Sequence, residues 1–171
     1  NDDGILASGL QMLYNLLQEL GHEIRIVAPD RQYSGTSHTI TLGTPLIPQK
    51  CYNKGKFWGI AINGSPADSV KIGLANIYPD TDLVVTGINL GHNAGPSTYY
   101  SGTIGAAFEG SALKKTAIAF SYNSYQETAL ENLEDRLRPY MKSILENCTD
   151  PILYNINIPC TKEIKGIEIT R

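Results

Sequence analysis

The sequence runs to 171 residues and 18.7 kDa, the size of one domain able to bury its own core without disulfide staples. Its 14 basic and 17 acidic side chains give a formal charge of -3, with no Lys/Arg-rich run and no aromatic-basic interleaving, which argues against binding a nucleic acid polymer. No stretch approaches the roughly 18 consecutive apolar residues of a membrane span, and no basic-then-apolar leader opens the sequence, so it reads as soluble and cytoplasmic with no membrane partner.

The chain opens on Asn1-Asp2-Asp3-Gly4, two adjacent carboxylates followed by a glycine that permits a tight bend. Alone, this tetrapeptide reads as an Asx-rich surface turn. If the fold instead converges both carboxylates on one site, either one takes up a proton or a cation neutralises the pair. Leu10, Leu13, Leu17 and Leu20 form a helical stripe closed by Gly21, and Ile24 to Ala28 form a short strand ending at Pro29. Residues 30 to 55 are rich in Gly, Pro, Ser and Thr, with one β-prone piece from Thr39 to Leu42, and a connection of that length is often functional.

Phe57 to Ile62 alternates as a strand, and Ser65-Pro66-Ala67-Asp68 opens a helix to about Ile77 with a capping serine, a first-turn proline and an acid. Asp82 to Val85 is an apolar strand of the kind buried on both faces of a parallel sheet. A dense polar cluster from Thr86 to Thr103 follows, then a helix from Ile104 to Leu113 and a strand from Thr116 to Phe120. Glu127 to Cys148 has helical spacing with Pro139 kinking or dividing it, and Ile152 to Ile158 is a last strand before a polar tail. Cys51, Cys148 and Cys160 are odd in number, far apart and without a C-x-x-C, which reads as reduced thiols rather than a disulfide framework or a zinc site.

Strands alternating with helices predict an α/β fold of three layers, Rossmann-like, with a mostly parallel sheet and helices on both faces. Ligands in such sheets bind at the carboxyl ends of strands, where the Asp2-Asp3 turn, the loop after Pro29 and the loop after Val85 should gather. These supply Asp2, Asp3, Ser34, Asn89, Asn93, Ser101 and Thr103, a set of hard oxygen and amide donors suited to Mg²⁺ or Mn²⁺. Ser101-Gly102-Thr103 at a helix start offers N–H groups and hydroxyls to an anion such as phosphate. Signatures for ATP cradling, dinucleotide binding and a nucleophile elbow are missing, and nothing in the spacing selects His92 as a base for Ser101. His22 reads as a surface residue beside a helix end, His38 is undecided, and Tyr99 and Tyr100 read as packing or rim residues.

Asn1-Asp2-Asp3-Gly4-Ile5, Ala28-Pro29-Asp30-Arg31 with Ser34-Gly35, Gly64 to Asp68, the Gly87-to-Gly95 run through Asn89 and Asn93, and Tyr100-Ser101-Gly102-Thr103 resemble, in this order, the SurE family of survival-protein nucleotidases. The resemblance covers nearly the whole chain. It implies a 5′/3′-nucleotidase, a phosphoric monoester hydrolase of acid phosphatase-like activity, using one divalent metal ion and in some members acting also on short polyphosphate. It places the metal on Asp2, Asp3, Ser34 and Asn89, and the phosphate on Asn93, Ser101, Gly102 and Thr103. Catalysis would then fall to Asp2, Asp3, Asn93, Ser101 and Thr103, with one aspartate orienting or deprotonating water.

Family members carry a short apolar strand ahead of the Asn-Asp-Asp-Gly motif, and beyond the equivalent of Arg171 an extended hairpin and helix that build a homodimer or tetramer. The expectation is therefore a single core domain, residues 1–171, trimmed at both ends. Ser65 stands where threonine is usual and Ser69 where cysteine is frequent. A non-catalytic metal- and nucleotide-binding module would keep the same loops. A metal-dependent glycosyltransferase or deacetylase would leave the Ser101-Gly102-Thr103 anion site unexplained.

Overall fold

The computed structural model describes residues 1–170. Four helices, α1 (Ser8–Glu19), α2 (Pro66–Ile72), α3 (Gly102–Ala112) and α4 (Leu133–Asn147), alternate with six strands, β1 (Val27–Pro29), β2 (Pro48–Asn53), β3 (Lys56–Ile62), β4 (Leu83–Leu90), β5 (Thr116–Tyr122) and β6 (Leu153–Ile158). β4, β5 and β6 run parallel in that order. β1 pairs parallel with β3, and β2 pairs antiparallel with β3 on the outside. Helices α1 and α4 pack on one face through Leu13, Leu16, Leu137 and Met141 against Ile88, Ile118 and Phe120. On the other face α3 lays Ile104 and Ala107 against Val84, Ala117 and Ala119. The three-layer, mostly parallel architecture expected from the sequence is thus the one observed.

Three local expectations are corrected. The β-prone piece Thr39 to Leu42 is not a strand; the strand in that region is β2, whose polar, largely exposed residues suit a sheet edge and hide the signal. The early strand is shorter than Ile24 to Ala28, beginning only at Val27. The segment from Glu127 is divided at Asn132, which takes a left-handed φ of 62°, and α4 then runs through Pro139. Pro139 is tolerated because it lies on the exposed face, opposite the buried Leu133, Leu137, Met141 and Ile144.

The two three-stranded sheets do not pair with each other. Between the edges of β1 and β4 lies a cavity of about 400 Å³, lined by Leu13 and Leu17 of α1, Ala28, Val70, Val84 and Ala106. Asn1 also borders it, donating from its amide to the carbonyls of Gly87 and Ile88 at 3.3 and 3.5 Å. No helix among the described residues is long and apolar enough to cross a membrane. The three cysteines are unpaired, as the sequence suggests.

Candidate functional site

The Asp2-Asp3 turn is drawn in from the surface, with Asp2 only 5% exposed. Gly4 closes the bend at a φ of 98°, a conformation that other residues adopt only under strain. The Asp2 carbonyl accepts from the Tyr33 N–H at 2.7 Å, and Ile5 N–H donates to the Pro29 carbonyl at 2.9 Å, which fixes the turn to the loop after β1. Within that loop the Gln32 amide donates to the Ser34 hydroxyl at 2.9 Å and to Asp3 at 3.3 Å. Gln32 therefore sets Ser34 beside Asp3, a link that sequence reasoning missed.

Strand β4 extends past Val85 to Leu90, so Asn89 sits on the end of a strand rather than in a free loop. The Asn89 Nδ2 is committed to the Gly91 carbonyl at 2.8 Å, which leaves its Oδ1 as the atom available to a ligand. The Leu90 N–H reaches Asp3, joining this strand end to the carboxylate pair. Burial first, then the charge of Asp2, push the Asp3 carboxyl above the usual carboxylate range. Two crowded carboxylates with a hydroxyl and an amide oxygen fit a hard divalent cation, which would relieve that crowding. Among the described residues no three His, Cys, Asp or Glu side chains come together, so the non-carboxylate oxygens would have to complete such a site.

The start of α3 faces the same place. Ser101 caps it by accepting from the Ile104 N–H at 3.2 Å, which leaves the hydroxyl proton of Ser101 free to donate. The N–H groups of Gly102 and Thr103 precede the first intrahelical bond and are available to an anion. Gly102 lies so close that a Cβ there would meet the Asp2 Cβ at 2.9 Å. The Thr103 hydroxyl, fully buried, donates to Asp2 Oδ1 at 2.6 Å. Its side chain is thus turned to the carboxylate pair, and only its N–H remains for an anion.

Asn93 is placed differently from the sequence picture. Its contacts are with the ends of β5 and β6: its Nδ2 donates to the Ser121 hydroxyl at 2.8 Å and its N–H to Asn157 Oδ1 at 2.8 Å. The Asn93 carbonyl accepts from Asn155, Asn157 and Thr98 at 2.7, 3.2 and 3.2 Å. One amide hydrogen of Asn93 remains for an anion. Asn155 and Asn157 alternate on β6, and that period of two is the sequence signal that could have revealed them. His22 and His92 are exposed, and so are Tyr99 and Tyr100.

His38, undecided from sequence, donates from Nε2 to Glu109 at 2.7 Å, while Lys71 donates to the other oxygen at 2.9 Å. Burial would raise the Glu109 carboxyl, but the hydrogen bonds from Lys71 and His38 outweigh it and hold the group below its ordinary value near 4.5. A depressed acid contributes stability above its unfolded value and loses it as pH falls through the folded one. Urea unfolding of wild type and Glu109→Gln should therefore differ at pH 6, and the difference should shrink as pH falls below the ordinary glutamate value and through the depressed one. A stability gap that stays constant through that range would contradict the assignment.

The family model described as Survival protein SurE matches residues 1–171. The 5′-nucleotidase SurE of Desulforudis audaxviator is 42% identical over 176 residues, an alignment covering 100% of this chain and 68% of that protein. The 5′-nucleotidase SurE of Chlorobium phaeobacteroides is 40% identical over 174 residues, covering 99% and 67%. The crystal structure of the SurE protein from Aquifex aeolicus superimposes with a TM-score of 0.83 at 35% identity, covering 99% of this chain and 69% of that one.

Proposed function

The chain belongs to the SurE family, and on that footing we propose that it is a metal-dependent phosphomonoesterase hydrolysing nucleoside 5′- and 3′-monophosphates to nucleoside and phosphate. The observation that carries the reading is the 2.6 Å bond from Thr103 to the buried Asp2, which couples the anion-binding end of α3 to the carboxylate pair. A phosphate on one side and a cation on the other would then share an edge.

In this reading Asp2, Asp3, Ser34 and Asn89 hold one divalent ion, Mg²⁺ or Mn²⁺. When bound there, such an ion supplies Lewis-acid polarisation of a phosphoryl oxygen and a water of lowered pKa. Ser101 donates its hydroxyl to the phosphate, Gly102 and Thr103 donate N–H groups, and Asn93 donates an amide hydrogen, so charge building on the phosphoryl oxygens meets preset donors. Thr103 fixes Asp2 in one pose. Asp3, held only by the 3.3 Å contact from Gln32 and by Leu90, is the carboxylate free to orient the attacking water.

The proposal extends to short polyphosphate as a second substrate, to a cytoplasmic location, and to a homodimer or tetramer built by segments outside residues 1–171. It also places a strand ahead of Asn1 in the slot between β1 and β4, making residues 1–171 the core of one domain. The test is phosphate release from nucleoside monophosphates with Mg²⁺ or Mn²⁺, repeated with chelator. Turnover that survives chelation would refute metal dependence, and metal-dependent AMP binding without turnover would make the chain a binding module.

Asn157 offers a second check. Replacing it with leucine removes two of the bonds that hold the Asn93 backbone, at 2.8 and 3.2 Å. Because small misplacements of a binding group are costly, kcat/KM should fall about 10- to 100-fold. Mn²⁺ affinity measured by calorimetry should hold, since the bonds of Asn93 run to Ser121, Asn155, Asn157 and Thr98 and to neither carboxylate. Equal loss of metal binding would show that Asn157 supports the whole site.

A further inference from the structure

Residues 33 to 41 cross both α2 and α3 as a strap tied at every step. Tyr33 is bonded to the Asp2 carbonyl, and Ser37 donates from its N–H to the Tyr100 carbonyl at 3.0 Å and from its hydroxyl to the Tyr99 carbonyl at 2.6 Å. At Gly105 the strap lies directly on α3, where a Cβ would come within 2.1 Å of the Ser37 carbonyl oxygen. His38 then donates to Glu109 at 2.7 Å, and its ring meets Phe108 edge-on at 4.9 Å. Past it, the Ser65 hydroxyl donates to the Thr39 carbonyl at 2.5 Å, and Thr41 donates to both oxygens of the fully buried Asp68, at 3.0 and 2.6 Å.

The placement of Glu109 is informative. It sits in the last turn of α3 at 4% exposure, where a carboxylate is costly to bury and the negative end of the helix does not favour it. One of its two oxygens is spent on His38, the only strap side chain that reaches this far along α3. Ser37, next to it, holds a strained φ of 53°, so the strap does not adopt this path by local preference.

We propose that Glu109 and His38 are positioning residues: Glu109, acting through His38, fixes the strap in the pose that presents Ser34 to the carboxylate pair and locks it to the Tyr99-Tyr100 turn leading into Ser101. The inference rests on the assignment of Asp2, Asp3, Ser34 and Asn89 as a cation site. It makes the strap the physical link between cation and phosphate ends, because the strap leaves Asp2 at Tyr33, carries Ser34, and touches the phosphate turn at Ser37. Lys71, with its side chain half exposed, serves only to neutralise Glu109 from outside.

The experiment is Mn²⁺ titration by calorimetry of the wild-type protein, Glu109→Gln, His38→Ala and Lys71→Met, with urea unfolding of each. Outer-shell supports of metal ligands typically hold 10- to 100-fold in affinity, so Glu109→Gln and His38→Ala should each weaken Mn²⁺ binding about tenfold. The double variant should be little weaker than either single one, because both act through one contact. Lys71→Met should bind Mn²⁺ as wild type does. Activity of His38→Ala at saturating Mn²⁺ should recover to within about twofold, since the reacting groups are intact. His38 is partly exposed, so that variant keeps the test open if Glu109→Gln fails to fold.

Unchanged Mn²⁺ affinity in His38→Ala, or equal weakening in Lys71→Met, would overturn the positioning role and leave Glu109 a stability element. A wild-type protein that binds no Mn²⁺ would instead remove the cation site itself, and this inference with it.

Discussion

Replacing Asp3 with alanine is expected to lower phosphate release from nucleoside monophosphates by about 1,000-fold or more, as far as chelation lowers it in the wild type. The expectation follows from what each donor is otherwise doing. Asp2 is tied to Thr103, Asn89 spends its nitrogen on Gly91, and Ser34 is neutral and already accepts from Gln32. Asp3 is the charged donor least committed to the fold, so its loss removes half the negative charge of the cation site and the group nearest to an attacking water. The Ser101 hydroxyl and the first N–H groups of α3 are untouched, so KM should move far less than kcat.

The stability of the same variant distinguishes this account from simple damage. Burial and the neighbouring Asp2 charge raise the Asp3 pKa, so near neutral pH the ionised group opposes folding in the metal-free protein. Asp3→Ala should therefore unfold at the same or higher urea concentration than wild type without metal. Added Mn²⁺ should stabilise wild type by mass action and leave the variant unmoved. An inactive variant that is also markedly less stable without metal would point to a structural aspartate and sink the ligand assignment.

Much of this arrangement was legible in the sequence, and the reasons differ by element. The leucines of α1, the Ser65-Pro66-Asp68 helix start and the apolar run in β4 are local signals, and each is observed. Residues 48 to 53 gave no signal because an edge strand needs neither alternation nor apolar side chains, only a partner, and β3 supplies it. Pro139 drew attention as a breaker, yet the break came at Asn132 because a proline on the solvent face of α4 leaves the buried stripe intact.

At the site the donor types were readable, since Asp, Ser, Asn and a helix start announce their chemistry wherever they occur. What each atom does was not. Thr103 reads as a phosphate hydroxyl until the fold sets it against Asp2, 101 positions away, and Asn93 reads as an open loop amide until β5 and β6 capture it. Nothing in the sequence singles out Glu109, and only the strap lying over α3 shows what its buried carboxylate holds. Such contacts between distant residues depend on topology, and no local pattern encodes them.

A short apolar strand fused ahead of Asn1 is expected to stabilise the protein strongly, and the cavity between β1 and β4 is the reason. The space is partly open to solvent, and a strand covering Leu13, Leu17, Val70, Val84 and Ala106 would remove their apolar surface from water at about 25 cal/mol per Å². Its walls come from α1, α2, α3 and both strand edges, so an added strand would have an unpaired edge on either side and helices on both faces. Asn1 is bonded to Gly87 and Ile88 near the C-terminal end of β4, and Ile5 to Pro29 at the end of β1. A strand entering just ahead of Asn1 would therefore run parallel to both neighbours and join the two sheets into one.

Buried on both faces, it should be a continuous Val/Ile run of about five residues rather than an alternating one. Ordering five residues offsets part of the gross gain, which leaves a net of a few kcal/mol and a rise of about 10 °C in melting temperature. A Gly/Ser extension of equal length should give no rise. The same comparison bears on the site, because Asp2 and Asp3 follow directly on the inserted strand. Rigid support there should tighten Mn²⁺ binding along with stability, whereas two extensions that behave alike would mean that the slot is not a strand site and that the carboxylate turn is held by the loop contacts alone.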